Sequence, residues 1–543
     1  MAEVIKNVRL VAGAGLSQPM DVYLAGGKIQ KIEPAETGTA SGAAETEGHG
    51  RVALPGFIDS HVHGAAAVFD PEIQLAMLRQ GITTIVVGQD GVGFAPSDQR
   101  TYQWASQYFA GIDGAHPTFS GGTMAQLMAM YDGATAVNVA TLVPHGTLRY
   151  LVMGGQQRPA TAEERGQMVQ ILQQSLDEGA VGMSTGLEYV PAAWADEAEL
   201  TDLAQVCADY GLPHVSHMRG YELKAPEAMA ELRRLAEATG VATHISHLHG
   251  PYAMIEPLLA AGPDFTFDTY PYLRGCSILA MVALPTWLPL ADPDATLAAL
   301  SDPETRPKLD AHLATLDDLW PRTTLAWVPG VDPVTGQPMR WTEGLTIPEA
   351  AAQLGVAPAE AALRILVASR LRASCVFAQP PTNSPESVQA FFEHPAQLAG
   401  SDAIYAPFVK PGEAPTSENS GGYPHPRGWG AFARLLAGQV LGQATDLRDG
   451  AIVTTAWTWA DAVEHLSARA ARRFRLAGRG KLEPGAIADI VLVDPETLKD
   501  QATYANPRTL ATGITDAWVA GVQVLKNGQL TGQTPGKSLK PQS

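Results

Sequence analysis

The fold is decided by the stretch Leu54-Pro55-Gly56-Phe57-Ile58-Asp59-Ser60-His61-Val62-His63, which starts as an apolar strand and ends in a His-x-His pair. On a strand, a two-residue spacing places both imidazoles on one face, so His61 and His63 could hold one metal ion. Taken alone, such a pair could equally face solvent or bind a backbone group. Its place at the end of an apolar strand indicates a barrel, in which active sites lie at the carboxyl ends of the strands.

Seven further apolar segments follow this one, and helical patterns such as Ala162–Leu176, Asp196–Tyr210 and Pro226–Thr239 separate most of them. Strands that alternate with helices predict a parallel sheet, and eight such units predict a (β/α)8 TIM-like barrel. The sequence therefore predicts an α/β protein whose main domain covers residues 56–470. The eight predicted strands are Val52–Ile58, Ile82–Gly88, Val137–Val143, Gly179–Met183, Pro213–His217, Ala242–His247, Asp264–Tyr270 and Gln397–Ser401.

Both ends of the chain have a different residue pattern from the middle. Short segments with β-branched or alternating apolar residues, such as Val4–Leu10 and Ile487–Val493, are bounded there by turn residues. We therefore expect residues 1–55 and 471–543 to form one small β-sandwich domain from both termini. Residues 284–344, which are rich in Pro, Asp and Trp, are expected to be an insertion that covers the mouth of the barrel.

Composition excludes several classes of function. The 543 residues are 45% hydrophobic and 17% charged, which is typical of a globular protein and not of a disordered, fibrous or coiled-coil chain. The formal net charge of −19 repels phosphate backbones and anionic lipids, so no nucleic-acid or membrane partner is expected. Cys207, Cys276 and Cys375 lie too far apart in the sequence for a disulfide framework, and the first ten residues lack the apolar core of a signal peptide. These features indicate a cytoplasmic protein, with assembly into a homo-oligomer left open.

Polar residues that bind metals stand at the ends of four predicted strands. The pair His61 and His63 ends strand one, His217 ends strand five, His247 ends strand six and Asp402 follows strand eight. Imidazole nitrogens and carboxylate oxygens are ligands of Zn²⁺, and converging strand ends would bring them together. Each residue also has a simpler interpretation, as a hydrogen-bonded barrel histidine or as a helix cap. Their coincidence at four strand ends predicts a metal centre.

Several motifs resemble those of the amidohydrolase superfamily, and in particular the N-acyl-D-amino-acid deacylase (D-aminoacylase) family, over nearly the whole chain. The opening strand with its His-x-His pair and the segment Ala488-Asp489-Ile490 are shared by many amidohydrolases. The segments Ser184-Thr185-Gly186-Leu187 and His425-Pro426-Arg427 are more diagnostic of the deacylases. Further similar segments are Gly81-Ile82-Thr83-Thr84, Pro144-His145-Gly146-Thr147-Leu148-Arg149, Ser216-His217-Met218-Arg219, Ile245-Ser246-His247, Tyr270-Pro271-Tyr272, Ser401-Asp402 and Gly478-Arg479-Gly480-Lys481-Leu482.

The resemblance implies a zinc-dependent enzyme that acts on a small molecule. The implied reaction is hydrolysis of an N-acyl-D-amino acid to a carboxylic acid and a D-amino acid. Carried over by position, His217 and His247 would hold the tightly bound ion. His61, His63 and Asp402 would line the adjoining position, for one or two zinc ions in all.

Two positions depart from the family pattern. The family usually has Gly-Asn-Cys-Gly after strand two, with the cysteine as a zinc ligand, and this chain has Gly88-Gln89-Asp90-Gly91. A carboxylate is a hard ligand that can span two ions, so Asp90 is predicted to be a metal ligand that could bridge two ions. The alternative is that Asp90 only caps the turn before Gly91. The family also tends to have lysine where this chain has His249, a departure that bears on substrate binding.

Amide hydrolysis needs a nucleophile, polarisation of the carbonyl group and a proton for the leaving amine. A metal-activated water would supply the nucleophile, and Asp402 is predicted to act as general base and then general acid. Tyr270 or Tyr272 could hydrogen-bond the developing oxyanion, or only satisfy a backbone carbonyl. The substrate carboxylate calls for a cation, for which Arg427 is the first candidate and Arg219 the second.

Two other functions are left open by the sequence. A dipeptidase or cyclic-amide hydrolase of the same superfamily often uses a carboxylated lysine on strand four, but Ala180-Val181-Gly182-Met183-Ser184 offers no lysine. A catalytically degenerate barrel that serves as a binding or scaffold protein would not need histidines on three strands together with Asp402.

Overall fold

The computed structural model describes residues 3–35, 44–260, 263–408, 410, 412–414, 416, 419–443 and 456–542. Parallel and antiparallel strands both occur in this part of the chain. The strands are β1 (Glu3–Val8), β2 (Val11–Ala12), β3 (Gly15–Leu16), β4 (Met20–Ala25), β5 (Lys28–Pro34), β6 (Ala44–Glu47), β7 (Val52–Pro55), β8 (Phe57–Asp59), β9 (Val62–His63), β10 (Ile82–Val87), β11 (Asn138–Thr141), β12 (Val143–Pro144), β13 (Met183–Gly186), β14 (His214–His217), β15 (Thr243–Ile245), β16 (Phe265–Thr269), β17 (Arg274–Ile278), β18 (Thr323–Trp327), β19 (Ser374–Ala378), β20 (Gln397–Ala399), β21 (Ala403–Ile404), β22 (Ile490–Val493), β23 (Ile514–Val519), β24 (Val522–Lys526), β25 (Gln529–Leu530) and β26 (Ser538–Leu539).

Helices connect most of these strands. Within the described ranges, no single helix is both long enough and apolar enough to cross a membrane. The helices Ile347–Leu354 and Pro358–Ala368 reach that length and composition only as a pair, which is bent by 88°. The helices are α1 (Pro71–Arg79), α2 (Gln99–Tyr108), α3 (Met124–Ala129), α4 (His145–Met153), α5 (Ala162–Glu178), α6 (Glu197–Asp209), α7 (Ala225–Thr239), α8 (Tyr252–Ala260), α9 (Leu279–Ala283), α10 (Pro293–Ser301), α11 (Arg306–Leu313), α12 (Ile347–Leu354), α13 (Pro358–Ala368), α14 (Pro385–Glu393), α15 (Arg427–Gln439), α16 (Trp459–Val463) and α17 (Arg469–Arg473).

The middle of the chain builds a series of parallel strands. β8, β10 and β11 pair in parallel, and so do β12, β13, β14, β15, β16 and β20 in that order. Hydrogen bonds connect these groups at both ends of the series. For example, Val181 N–H donates to the Thr141 carbonyl (3.0 Å), and Ser60 N–H donates to the Ala399 carbonyl (3.1 Å). Every residue of β10 is buried, as expected for a parallel strand covered on both faces.

The predicted strand Val52–Ile58 is divided at Gly56 between two sheets. β7 pairs antiparallel with β22 near the end of the chain, whereas β8 pairs in parallel with β10. A Cβ atom at Gly56 would lie 2.1 Å from Thr83 Oγ1, so a side chain would separate the two segments from their neighbours. The first predicted strand is therefore shorter than expected, and its upstream half belongs to another sheet.

The fourth predicted strand is displaced along the chain. The prediction was Gly179–Met183, but the strand observed is β13, Met183–Gly186. Helix α5 extends to Glu178 and ends at Gly179, which adopts a left-handed conformation with φ 119°. Gly179 is thus a helix cap, and the residues up to Gly182 lead from the helix into the strand.

Segments from both termini pack on each other through apolar side chains. β5, β4, β1 and β6 form one sheet, and β25, β24, β23, β22 and β7 form another. One buried cluster contains residues of both sheets, including Ile5, Val22, Ile490 and Trp518. The Trp518 side chain is fully buried, and its Nε1 donates a hydrogen bond to Glu3 Oε1 (3.0 Å).

A separate antiparallel sheet interrupts the chain between β16 and β20. Its three strands lie in the order β17-β19-β18, and α9 to α13 accompany them. The interruption therefore runs at least from Arg274 to Ala378, beyond both ends of the predicted 284–344. Its strands β17 and β19 lie outside residues 284–344 and are not among the strands predicted from the sequence.

Trp518 offers a test of how strongly the termini depend on each other. Trp518→Ala should lower the free energy of unfolding by about 3–5 kcal/mol, because a large buried ring is replaced by a cavity. Chemical denaturation followed by circular dichroism measures the loss. Trp341→Ala is the matched control, since Trp341 is 40% exposed and its removal should cost less than about 0.5 kcal/mol. Equal losses in the two variants would contradict the packing of the terminal sheets.

Candidate metal centre

The six predicted metal ligands converge at the carboxyl ends of the parallel strands, and all six are buried. His217 joins the group through its Nδ1, which lies 3.0 Å from Nε2 of His247. Imidazole nitrogens and carboxylate oxygens at such distances are suited to hold a metal ion. Ligand atoms lie within 4.8 Å of one another in two groups, His61 with His63 and Asp402, and His61 with Asp90 and His247.

Asp90 lies at the centre of four imidazole rings. Its Oδ1 is 3.6 Å from His61 Nε2 and 3.5 Å from His247 Nε2. Its Oδ2 is 3.5 Å from His63 Nε2 and 3.6 Å from His217 Nδ1. Burial raises the pKa of Asp90, but the nearby His61, His247 and His217 lower it well below its usual range. The carboxylate is therefore ionised, and each of its two oxygens faces a different pair of histidines.

Three of the six candidate ligands have a left-handed backbone conformation. Asp90, His247 and Asp402 have positive φ angles of 55°, 36° and 50°. Non-glycine residues adopt this left-handed region at a cost of about 1–3 kcal/mol and are concentrated at functional sites. At Asp402 the backbone N–H donates to the His61 carbonyl (2.8 Å), which fixes the end of strand eight against strand one.

The His-x-His pair does not lie on one continuous strand. Ser60 and His61 form a bend between β8 and β9, whereas His63 lies in β9, which pairs in parallel with β21. Strand alternation is therefore not the reason that the two rings share the site. Their Nε2 atoms nevertheless lie at the same distance, 3.6 Å, from Oδ1 of Asp402.

In three of the four histidines, one ring nitrogen points into the centre and the other lies next to a carboxylate outside it. A proton held on that nitrogen leaves the lone pair of the other nitrogen for a metal. Burial lowers the pKa of His63, but hydrogen bonds with Asp113 and Asp90 outweigh burial and raise it to about 10. Asp113 and Asp90 therefore stabilise the positively charged form of His63. The pairs are His61 Nδ1 with Asp268 Oδ2 (3.3 Å), His63 Nδ1 with Asp113 Oδ1 (3.4 Å) and His217 Nε2 with Glu188 Oε2 (3.0 Å).

A glycine at the end of β13 allows Asp90 to take its place. A Cβ atom at Gly186 would lie 1.9 Å from the backbone oxygen of Asp90, a distance that no side chain can occupy. The neighbouring Ser184 hydroxyl accepts a hydrogen bond from Gly91 N–H (3.1 Å). The segment that resembles the deacylases thus supports the turn that carries Asp90.

Arg427 pairs with Asp402 inside the protein. Its Nη1 lies 2.8 Å from Asp402 Oδ2, and its guanidinium lies 4.6 Å from the centroid of the Tyr270 ring. The Arg427 side chain is fully buried. Burial lowers the pKa of Arg427, but the Asp402 carboxylate raises it overall, so the pair is a buried ion pair. This position does not support a direct contact with the substrate carboxylate.

Two other predicted substrate-binding residues are engaged away from the centre. Arg219 binds the Glu231 carboxylate through Nε and Nη2, and its Nη1 donates to the Ala193 carbonyl (2.8 Å). The Tyr272 hydroxyl donates to Asp500 Oδ2 (3.2 Å). Both side chains already have polar partners, which sequence spacing does not reveal.

A cavity of about 590 Å³ opens beside the cluster, and Tyr270 and His249 line it together with five of the six candidate ligands. Its volume lies in the range that small-molecule sites occupy. The Tyr270 hydroxyl accepts a hydrogen bond from Gln379 Nε2 (3.2 Å). His249 Nδ1 donates to the His247 carbonyl (2.7 Å), and its ring stacks on Tyr221.

Residues 48–529 match the sequence model of the amidohydrolase family. The chain belongs to the amidohydrolase family. An N-acyl-D-glutamate deacylase of Alcaligenes xylosoxydans xylosoxydans is 30% identical over 536 residues, which cover 96% of this chain and 92% of that protein. A D-aminoacylase of the same organism is 28% identical, with 96% of this chain and 98% of that protein covered. The crystal structure of N-acyl-D-glutamate deacylase from Bordetella bronchiseptica, complexed with zinc and a phosphonate inhibitor, is 28% identical and has a TM-score of 0.75 over 99% of each chain.

Three carboxylates of this amidohydrolase were missed by the sequence analysis. Asp268 binds His61 and also His244 (Nε2 to Oδ2, 3.0 Å), and its position inside the apolar strand β16 was a usable signal. Glu188 directly follows the segment that resembles the deacylases, which was a second signal. Asp113 lies in a loop, and no pattern in the sequence connects it with His63.

The close approach at Gly186 predicts a specific metal-binding defect. Gly186→Ala should displace Asp90 and weaken Zn²⁺ binding by about 10–100-fold, as the loss of supporting residues does elsewhere. Competition with a chromogenic chelator measures the affinity. The matched control is Gly166→Ala in helix α5, where an added Cβ meets nothing within 4 Å and should leave the affinity unchanged. Wild-type affinity in both variants would show that Asp90 does not depend on this contact.

Proposed function

We propose that this chain is a zinc-dependent amidohydrolase that cleaves N-acyl-D-amino acids to a carboxylic acid and a D-amino acid. The observation that carries the proposal is the buried cluster of four histidines around Asp90, with Asp402 beside it and a cavity next to both. The relatives named above support the substrate class, since their names describe deacylation of N-acyl-D-amino acids. The absence of lysine from β13, Met183–Gly186, does not favour the dipeptidases and cyclic-amide hydrolases that use a carboxylated lysine on strand four.

The donor set fits one or two zinc ions. His61 Nε2 and Asp90 Oδ1 are buried and have no hydrogen-bond partner among the residues that the structure describes, and a cation between them would satisfy both atoms. We assign His217, His247 and Asp90 to one position and His61, His63 and Asp402 to the other. Asp90, which faces both groups, would bridge them. When bound, zinc would activate a water molecule and polarise the amide carbonyl of the substrate.

The remaining chemistry is assigned to side chains of this chain. Asp402 would accept a proton from the attacking water and deliver it to the leaving amine. Arg427 would hold the Asp402 carboxylate in place by binding Oδ2 of that carboxylate. Tyr270, which lines the cavity beside Asp402, would donate a hydrogen bond to the developing oxyanion. Arg427 and Arg219 were the cations predicted for the substrate carboxylate, but Arg427 pairs with Asp402 and Arg219 with Glu231, so we do not assign that contact to either of them.

We also propose the domain organisation and the compartment. The ring of parallel strands would be a (β/α)8 barrel within residues 56–470, interrupted by the three-stranded sheet. The apolar cluster shared by the terminal sheets supports a β-sandwich of residues 1–55 and 471–543. The free thiols of Cys207, Cys276 and Cys375 support a reducing, cytoplasmic environment.

The proposed function predicts stereospecific hydrolysis that depends on Asp402. The zinc-loaded enzyme should release amino acid from N-acetyl-D-amino acids and not from their L-enantiomers. Asp402→Asn should lower kcat by about 10²–10⁴-fold, because the amide cannot carry the proton. Asp317→Asn, at an exposed position, is the control and should keep full activity. More than a tenth of the wild-type kcat in Asp402→Asn would remove Asp402 from the mechanism.

The place of Asp90 predicts an effect on metal stoichiometry. Asp90→Ala should lose one or both zinc ions, because its two oxygens face the two proposed positions. Metal titration with elemental analysis on the same sample measures the change, and Asp317→Ala provides the control. Unchanged stoichiometry and affinity in Asp90→Ala would mean that Asp90 only caps the turn before Gly91.

A further inference from the structure

The cavity beside the metal centre bears on which D-amino acid the enzyme takes. Sequence similarity does not decide this, since the D-glutamate deacylase and the D-aminoacylase described above are 30% and 28% identical to the chain. An N-acyl-D-glutamate carries a second carboxylate in its side chain, whereas an N-acyl-D-amino acid with an apolar side chain carries none. The charges on the cavity wall therefore discriminate between them.

Cationic side chains are scarce on this wall. Among the described residues that line the cavity, Lys224 is the only lysine or arginine. Besides the proposed metal ligands Asp90 and Asp402, two carboxylates line it as well, those of Glu188 and Glu222. Glu222 Oε2 accepts a hydrogen bond from the Thr382 hydroxyl (2.9 Å), and its Oε1 lies 3.6 Å from His249 Nε2. The Lys224 side chain is exposed. A single cation matches the one carboxylate that every N-acyl-amino acid carries, and it leaves none for a second.

The sheet and helices inserted before β20 supply an apolar wall. We use this term for Met281 and Val282 of α9, Leu319, and Phe377 of β19, all of which line the cavity. Cys276 lines it too, and burial raises the pKa of its thiol to about 12, so the group is neutral at physiological pH. Each cavity-lining residue from this inserted segment is uncharged.

A second carboxylate would meet an unfavourable environment in this cavity. Against the apolar wall it would lose its hydration without gaining a partner, and near Glu188 or Glu222 it would meet like charge. An aliphatic or aromatic side chain would instead bury apolar surface against Met281 and Phe377. Both effects favour the same class of substrate.

We propose that the cavity selects N-acyl-D-amino acids with uncharged, apolar side chains and rejects those with a second carboxylate. The apolar wall would receive the side chain, and Lys224 would face the single carboxylate. This inference rests on the proposed function, since it specifies the substrate class of the same site.

A substrate panel on the full-length, zinc-loaded enzyme tests the inference. We expect kcat/KM for N-acetyl-D-leucine to exceed that for N-acetyl-D-glutamate and N-acetyl-D-aspartate by at least about 100-fold. Calorimetric binding of D-leucine and D-glutamate gives a readout without turnover and should follow the same order. A preference for an acidic substrate, or for N-acetyl-D-lysine, would overturn the inference and leave the proposed function standing. No hydrolysis of any N-acetyl-D-amino acid would overturn the proposed function itself.

A positive charge placed on the apolar wall gives a second test, in which kcat/KM values for two substrates are compared on the same variant. Met281→Lys should raise kcat/KM for N-acetyl-D-glutamate relative to N-acetyl-D-leucine by about tenfold, because the lysine offers a partner to the second carboxylate. Met281→Gln is the matched control of similar length without charge, and its ratio should stay within about twofold of the wild-type ratio. Because both substrates are assayed on one preparation, partial loss of folded protein does not alter the ratio. The same ratio in Met281→Lys and Met281→Gln would overturn the assignment of the wall.

Discussion

Asp90 is an ionised carboxylate buried in the interior of the protein, and the surrounding structure compensates its charge. Removing an anion from water costs several kcal/mol unless opposite charges and hydrogen-bond donors replace the solvent. Four imidazole rings, from strands one, five and six, surround the carboxylate at 3.5–3.6 Å. A bound cation would complete this compensation. The positions of these strand ends, and of the turn that carries Asp90, follow from this single requirement.

Charges alternate outward from Asp90. The first layer is made of histidines, and behind three of them lie the carboxylates of Asp268, Asp113 and Glu188. Asp402 has an analogous partner in the fully buried Arg427. Each buried charge thus has an opposite charge next to it, which holds the rings in one orientation and limits the ways in which the centre can rearrange.

The sequence predicted the residues of this centre better than it predicted their surroundings. His61, His63, His217, His247 and Asp402 stand at the ends of apolar segments, a local pattern that survives small errors in strand boundaries. The division at Gly56 and the shift of strand four depend on which sheet a segment joins, and local hydrophobicity does not contain that information. The contact between the Arg427 guanidinium and the Tyr270 ring depends on packing between distant segments. Long side chains such as that of Arg219 can reach many partners, so position in a motif does not fix their contacts.

The pairing of β7 with β22 has a consequence for the order in which parts of the protein fold. The strand that leads directly into the His-x-His pair is held by Ile490–Val493, a segment that lies more than 400 residues further along the chain. The edge of β7 that β22 covers therefore stays unpaired until residues 490–493 have been synthesised. The strand that precedes His61 and His63 reaches its final pairing only through a contact that is very distant in sequence, and contacts of this kind form slowly.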